Sequence, residues 1–250
     1  MGKKSYQTIV VKIGSSTLTT PQGEIDHANL ERIAAEAAQL VQQGKKVILV
    51  TSGAIATGAS QLKLGQPTTI PEKQAAAAVG QSRLMRQYEK AFEKHNLIVA
   101  QILLTRDVIT TPARSVNAKH CLLTLLREGV VPVVNENDTV AIDEIKIGDN
   151  DNLAALTARL VGADLLILLT DVDGFYINDM LVPQVGKIDA RVKKAAGQAG
   201  SRQGTGGMVT KLQAARICRR SKIDMAIVHG KKAGLIISAA AGQPVGTFFV

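Results

Sequence analysis

Thr8-Ile-Val-Val-Lys-Ile-Gly-Ser-Ser16 and Lys46-Val-Ile-Leu-Val-Thr51 are two short apolar runs separated by one amphipathic segment. That order decides the fold. Short runs of branched apolar residues, closed by glycine or hydroxyl side chains, read as buried strands. Between them Asp26 can cap a helix, and Leu30, Ile33, Ala34, Ala37, Leu40 and Val41 recur at helical spacing until Gly44 stops it. A strand, a helix and a second strand in one sheet call for a right-handed crossover between parallel strands.

The alternation continues along the chain. Thr69 and Glu72 form a capping-box pattern ahead of a long Ala-rich helix that runs to about Lys94. A strand over 98–104, a helix over about 113–127 and a strand over 130–134 follow. Residues 140–147 alternate apolar and polar, as in a solvent-facing hairpin. A short helix begins near 149–152, with Leu153, Leu156, Leu160 and Val161 on one side, and Leu165 to Leu169 is a fully apolar strand closed by Thr170-Asp171. A helix over 208–221 and strands over 224–228, 234–238 and 246–249 complete the pattern. The expected architecture is α/β: a three-layer α/β/α sandwich with a mostly parallel central sheet.

Composition narrows the function. A chain of 250 residues with 46% hydrophobic and 20% charged residues has material for a full core and reads as a single globular domain over 1–250. No apolar stretch approaches the ~18 residues that span a bilayer. The start, Met-Gly-Lys-Lys-Ser-Tyr, lacks the apolar core and cleavage site of a secretory signal, so a cytoplasmic setting without membrane partners is expected. Cys121 and Cys218 stand apart and read as free buried thiols, and His27, His95, His120 and His229 show no ligand spacing. No transition-metal site is expected. The formal charge of +9 suits an acidic substrate plus a nucleotide, or a solvated basic surface. Seven aromatics without a stacking set argue against nucleic acid.

In open α/β sheets ligands bind at the carboxyl ends of the strands. Polar clusters fall at several such ends: Lys12-Ile-Gly-Ser-Ser16, Thr51-Ser-Gly-Ala54, Asn135-Glu-Asn-Asp138 and Thr170-Asp171. Lys12 closes an apolar strand, either snorkelling to solvent or aiming a charge at a bound anion. Ser52 and Gly53 sit at a strand-to-helix turn that serves as a cap or binds a carboxylate or phosphate. Asn135-Glu-Asn-Asp138 and Gly148-Asp-Asn-Asp-Asn152 carry amide or carboxylate side chains at eight of their nine positions. Turn preferences explain single residues of this kind, not such density.

Gly204-Thr-Gly-Gly-Met-Val-Thr-Lys211 places three glycines before a lysine that opens a helical run. Glycines let backbone N–H groups approach an anion, and a helix N-terminus adds partial positive charge. The spacing is not that of a P-loop. A phosphate cradle and a plain surface loop both remain open on this segment alone.

As an ordered set, Lys12-Ile-Gly-Ser-Ser, Thr51-Ser-Gly-Ala-Ile, Val133-Val-Asn-Glu-Asn-Asp138, Gly148-Asp-Asn-Asp-Asn-Leu and Gly204-Thr-Gly-Gly-Met-Val-Thr-Lys resemble the glutamate 5-kinases of the amino acid kinase family. The resemblance spans essentially the whole chain. It implies transfer of a phosphoryl group from ATP, with Mg2+, to the side-chain carboxylate of L-glutamate, the opening step of proline biosynthesis. It further implies that Lys12 and Lys211 bind the transferring phosphoryl group and that Asp151 orients them. By the same likeness Ser52, Gly53, Asp138 and Asn150 would bind glutamate. Lys12, Thr170, Asp171, Thr205, Gly206, Gly207, Met208, Val209, Thr210 and Lys211 would bind the nucleotide. Residues 1–160 would form the amino-acid lobe and 161–250 the nucleotide lobe. Magnesium would ride mainly on the ATP phosphates, with no protein metal site. Proline feedback and a homo-oligomer, dimer or tetramer, are likewise implied. Many family members continue into a C-terminal domain of the PUA type, and this sequence stops without one.

The resemblance leaves rivals. Related acid kinases act on N-acetylglutamate, aspartate or carbamate, and the Asp138/Asn150 pair favours a substrate with a free α-amino group. A basic RNA-binding regulator would show salt-dependent affinity and no ADP release. An NAD site is disfavoured because Gly204-Thr-Gly-Gly lies late in the chain, outside an opening strand–turn–helix unit.

Overall fold

The computed structural model describes residues 5–20, 22–140, 150–198 and 207–250. Strand β1 (Thr8–Ile13) leads through a single-turn helix α1 (Ser15–Leu18) into α2 (His27–Gln42) and β2 (Lys46–Val50). Asp26 caps α2 as its sequence suggested, its carboxylate accepting from the Asn29 N–H at 3.1 Å. β1 and β2 pair in parallel, Thr8 opposite Lys46 and Lys12 opposite Val50. Helices α3 (Ala54–Leu62) and α4 (Ile70–Glu93) follow, then β3 (Val99–Leu104), α5 (Arg106–Thr110), α6 (Pro112–Arg127) and β4 (Val131–Glu136). The Thr69–Glu72 capping box at the head of α4 is formed in both directions.

After the undescribed residues 141–149 come α7 (Asp151–Val161), β5 (Leu165–Thr170), a small ribbon of β6 (Tyr176–Ile177) and β7 (Met180–Leu181), and β8 (Gln184–Val185). The chain then forms α8 (Ala190–Gln198), α9 (Met208–Arg220), β9 (Asp224–His229), α10 (Leu235–Ala240) and β10 (Thr247–Phe249). Eight strands make one sheet in the order β3-β4-β2-β1-β5-β9-β10-β8. Every pairing is parallel except β10 against β9. The central strands are covered on both faces, which is why they read as unbroken apolar runs.

Side-chain alternation sorts the core into two layers. Val10, Ile48, Val50, Val134, Leu166 and Leu168 face α5 to α9, whereas Ile9, Val11, Ile13, Leu49, Ile167 and Leu169 face α2, α4 and α10. Lys12 shares the parity of Val10, so it points to the side of α7 and α9. No described helix is long and apolar enough to cross a membrane.

Two expectations are corrected. The run from Gly234 to Ser238, read as a strand, is the start of α10. Its apolar residues suit either form, and the deciding partner is distant: the Glu36 carboxylate on α2 accepts from the Gly234 N–H at 3.0 Å and the Ile236 N–H at 3.1 Å. Those bonds satisfy a helix N-terminus that has no capping side chain of its own. Cys121, read as buried, is exposed, because α6 buries Leu122 and Leu126 and turns the cysteine outward. Cys218 is buried as expected, and burial pushes its thiol up to about 12. The hairpin expected over 140–147 lies outside the described residues beyond Val140.

Helices α3 and α4 cross at two glycines. A Cβ added to Gly80 would lie 1.8 Å from the Ala54 carbonyl oxygen, and one added to Gly58 would lie 1.7 Å from that of Ala76. Both obstacles are backbone, so nothing can swing aside. Gly80→Ala is expected to destabilise the fold by about 3 kcal/mol or more, at the upper end of overpacking costs. Chemical denaturation checks this; an unchanged midpoint would mean that the two helices separate freely.

Candidate active site

Lys12 lies one residue from the end of β1, between Val50 of β2 and Leu168 of β5. It is only 6% exposed. A snorkelling lysine would keep its ammonium in water; this one pairs with the Asp151 Oδ1 at 2.8 Å. Asp151 is fully buried in the first turn of α7, where the helix dipole favours a carboxylate.

The second carboxylate oxygen of Asp151 holds Lys211 at 3.2 Å, and Lys211 is 7% exposed. Lys211 occupies the first turn of α9, which begins after Gly207. The Thr210 hydroxyl lies 3.0 Å from the same Asp151 oxygen and 2.7 Å from the Gly207 carbonyl. One carboxylate thus carries an ammonium on each oxygen, the two drawn from opposite ends of the sequence. Burial pushes the Asp151 carboxyl up, but Lys12 and Lys211 together outweigh it and hold the pKa below the ordinary carboxylate value. Asp151 is therefore ionised at neutral pH despite having no exposed surface.

The parallel order gathers further candidates at the same edge. Thr51, Ser52 and Gly53 leave the carboxyl end of β2, and Gly53 adopts φ +95°, a left-handed turn that starts α3 directly off the strand. Asn150 immediately precedes α7 and donates from Nδ2 to the Thr51 carbonyl at 2.6 Å and to Asn135 Oδ1 at 2.8 Å. It thereby ties the head of α7 to the ends of β2 and β4. Asp138 lies in the turn just past β4, half-buried. Thr170 closes β5, the neighbour of β1, with its hydroxyl on the Asp171 carboxylate at 3.0 Å. The Gly230 N–H donates to the Thr170 carbonyl at 2.6 Å.

Lys12, Asp151, Thr210 and Lys211 meet in one cluster, and Asn150 adjoins it through Asp151. Ser52, Gly53, Asp138, Thr170 and Asp171 share its sheet edge, while Val209 is half-exposed on the first turn of α9 beside Met208. Thr205 and Gly206 lie outside the described residues. Two residues of the neighbourhood escaped assignment from sequence. Asn135 stood in a recognised motif but carried no role of its own. Gln81, on α4, accepts from Asn135 Nδ2 at 2.8 Å and had no distinguishing signal.

Comparison with known proteins agrees with this geometry. The profile described as the amino acid kinase family matches residues 7–229. The chain belongs to the amino acid kinase family. Within this family it is similar to the glutamate 5-kinase of Geobacter metallireducens, at 50% identity over 99% of this chain and 68% of that protein. The glutamate 5-kinase of Pelobacter propionicus is 48% identical over 99% of this chain and 68% of its own length. That of Thermoanaerobacter sp. strain X514 is 48% identical over 97% of this chain and 67% of its own. The chain thus spans about two thirds of the length of these relatives. As an amino acid kinase it carries the mostly parallel sheet with helices on both faces that the sequence pattern implied.

Proposed function

We infer that this amino acid kinase transfers the γ-phosphoryl group of ATP to the side-chain carboxylate of L-glutamate, yielding L-glutamyl 5-phosphate and ADP. That reaction opens proline biosynthesis. The observation that carries the reading is the Asp151 carboxylate with Lys12 and Lys211 on its two oxygens, in a chain half identical to glutamate 5-kinases. A carboxylate with an ordinary pKa of about 4.3 arrives already ionised, so the acceptor needs no base. Its oxygen forms a bond to the γ-phosphorus while the bond to the β–γ bridging oxygen breaks, and the electron pair leaves with ADP.

The barrier lies in bringing one anion up to another. Lys12 and Lys211 stabilise the charge on the equatorial oxygens of the loose transition state, and Asp151 keeps both ammoniums in place beforehand. Ser52, Gly53, Asp138 and Asn150 hold the α-groups of glutamate so that its far carboxylate lies in line. Thr170, Asp171 and the segment Thr205 to Lys211 take the nucleotide, which divides the domain into an amino-acid part over about 1–160 and a nucleotide part over about 161–250. Magnesium would come with the ATP phosphates that Lys12 and Lys211 face, rather than sit in a cage of protein ligands. When bound with the nucleotide, it would supply neutralisation of charge on the leaving group.

The test is ADP release with ATP, magnesium and either glutamate or N-acetylglutamate, trapping the acyl phosphate as its hydroxamate. Hydroxamate is expected with glutamate. Preference for the acetylated acid overturns the substrate. Proline inhibition and a dimeric or tetrameric assembly belong to the same proposal, checked by adding proline to the assay and by light scattering. The thiols of Cys121 and Cys218, which form no disulfide, suit the reducing cytoplasm proposed as its location.

A further inference from the structure

We propose that Gln81 is a positioning residue for the amino-acid site, holding in place through Asn135 the Asn150 carboxamide whose orientation the Thr51 carbonyl sets. The proposal rests on the reading above that Asn150 meets glutamate. A carboxamide has two nearly superimposable orientations, one presenting an oxygen and the other two N–H donors, and only its partners decide between them.

Here the decision starts at a group that cannot donate. The Thr51 carbonyl only accepts, so Asn150 must turn Nδ2 toward it, at 2.6 Å. The second N–H of Asn150 goes to Asn135 Oδ1 at 2.8 Å. With its oxygen so committed, Asn135 presents Nδ2 to Gln81 Oε1 at 2.8 Å. Gln81 then has only its own Nε2 to offer onward, and it donates to Gln101 Oε1 at 3.1 Å. Four side-chain amides therefore point the same way, from the water-exposed Gln101 on the edge strand β3 to the head of α7. Both N–H groups of Asn150 are used, and its remaining group is the acceptor Oδ1. An acceptor suits the α-ammonium of a free amino acid, whereas a reversed amide would set donors against it.

Asn135 is 2% exposed and so depends on protein partners. Without an acceptor at position 81, its Nδ2 is left buried without a partner, and the amide keeps only the bond from Asn150 to hold it. A loosened Asn135 no longer fixes the second N–H of Asn150, and the Asn150 carboxamide loses its set position at the head of α7. Gln81 is held in place because it follows Gly80, whose close approach to Ala54 seats α4 against α3.

Steady-state kinetics and glutamate-binding calorimetry on three variants test the proposal. Gln81→Met keeps the shape but removes the acceptor, and is expected to raise the KM and Kd for glutamate about tenfold, the effect of one lost oriented hydrogen bond. The KM for ATP and kcat should stay within about twofold. Gln81→Glu retains an acceptor toward Asn135 and should leave the KM for glutamate within about threefold of wild type. Gln81→Ala carries the expectation of Gln81→Met should the latter fail to fold. An unchanged glutamate KM in the acceptor-less variants overturns the proposal. So does a Gln81→Glu variant as impaired as Gln81→Met, which would reveal a packing role only. A wild type that binds glutamate without phosphorylating it overturns the reaction alone, and the Kd ratios then decide the role of Gln81. A wild type that does not bind glutamate overturns both.

Discussion

Replacing Lys211 with alanine is expected to lower kcat at least ~100-fold, and Lys12→Ala to do the same, while the KM for glutamate changes little. A preorganised charge aimed at the transition state contributes about that much when it acts inside a water-poor site. Both ammoniums meet the requirement of preorganisation, being buried and already paired with Asp151 at 2.8 and 3.2 Å. A folding effect accompanies the catalytic one, because each substitution strips one oxygen of a fully buried carboxylate of its cation. Breaking a buried pair outright costs about 3–5 kcal/mol. The loss here should fall at or below that range, since the other lysine remains. Thermal melts separate the two effects: a folded variant with a collapsed kcat supports the roles, and a folded variant with near-normal turnover removes them. The double variant should be little worse than either single one, as for groups that act as a unit.

Much of the scaffold was legible because local signals and tertiary demands coincide. β1, β2, β4 and β5 are apolar runs in sequence and buried on both faces in the sheet, and the caps at Asp26 and Thr69 work as their residue types suggest. Where the deciding partner is remote, sequence reading fails. α10 owes its helical start to Glu36, roughly 200 positions earlier. Cys121 faces water because α6 buries its neighbour Leu122.

The same division runs through the candidate site. Lys12 and Lys211 were conspicuous, one closing an apolar strand and the other following three glycines, yet nothing local states that they meet. Their convergence comes from strand order: β1 sits beside β5, and α7, which leads into β5, brings Asp151 over the end of β1. Gln81 was invisible because a glutamine on a long helix has an exposed face as its ordinary explanation. Only its 2.8 Å bond to Asn135 distinguishes it.

Asp151→Asn should be at least as damaging to turnover as either lysine substitution, again ~100-fold or more in kcat. The amide is nearly isosteric, so the loss comes from charge and polarity. Its oxygen can still accept from one ammonium, but its nitrogen then faces the other, donor against donor. Two buried cations would also lose their common counter-charge, and neither would stay where the γ-phosphoryl group needs it. The pH dependence separates this role from proton transfer. Because the folded-state pKa of Asp151 is depressed below 3.8, its stabilising contribution is present above that value and is lost as pH falls through the folded pKa. The stability gap between wild type and Asp151→Asn should therefore be flat from about pH 5 to neutrality and close only in stronger acid. The kcat profile should likewise show no acid limb assignable to Asp151 across that range. A limb near pH 6 that vanishes in the asparagine variant would mean that the carboxylate moves protons during turnover, and its place as the fixed anchor of two lysines would fall.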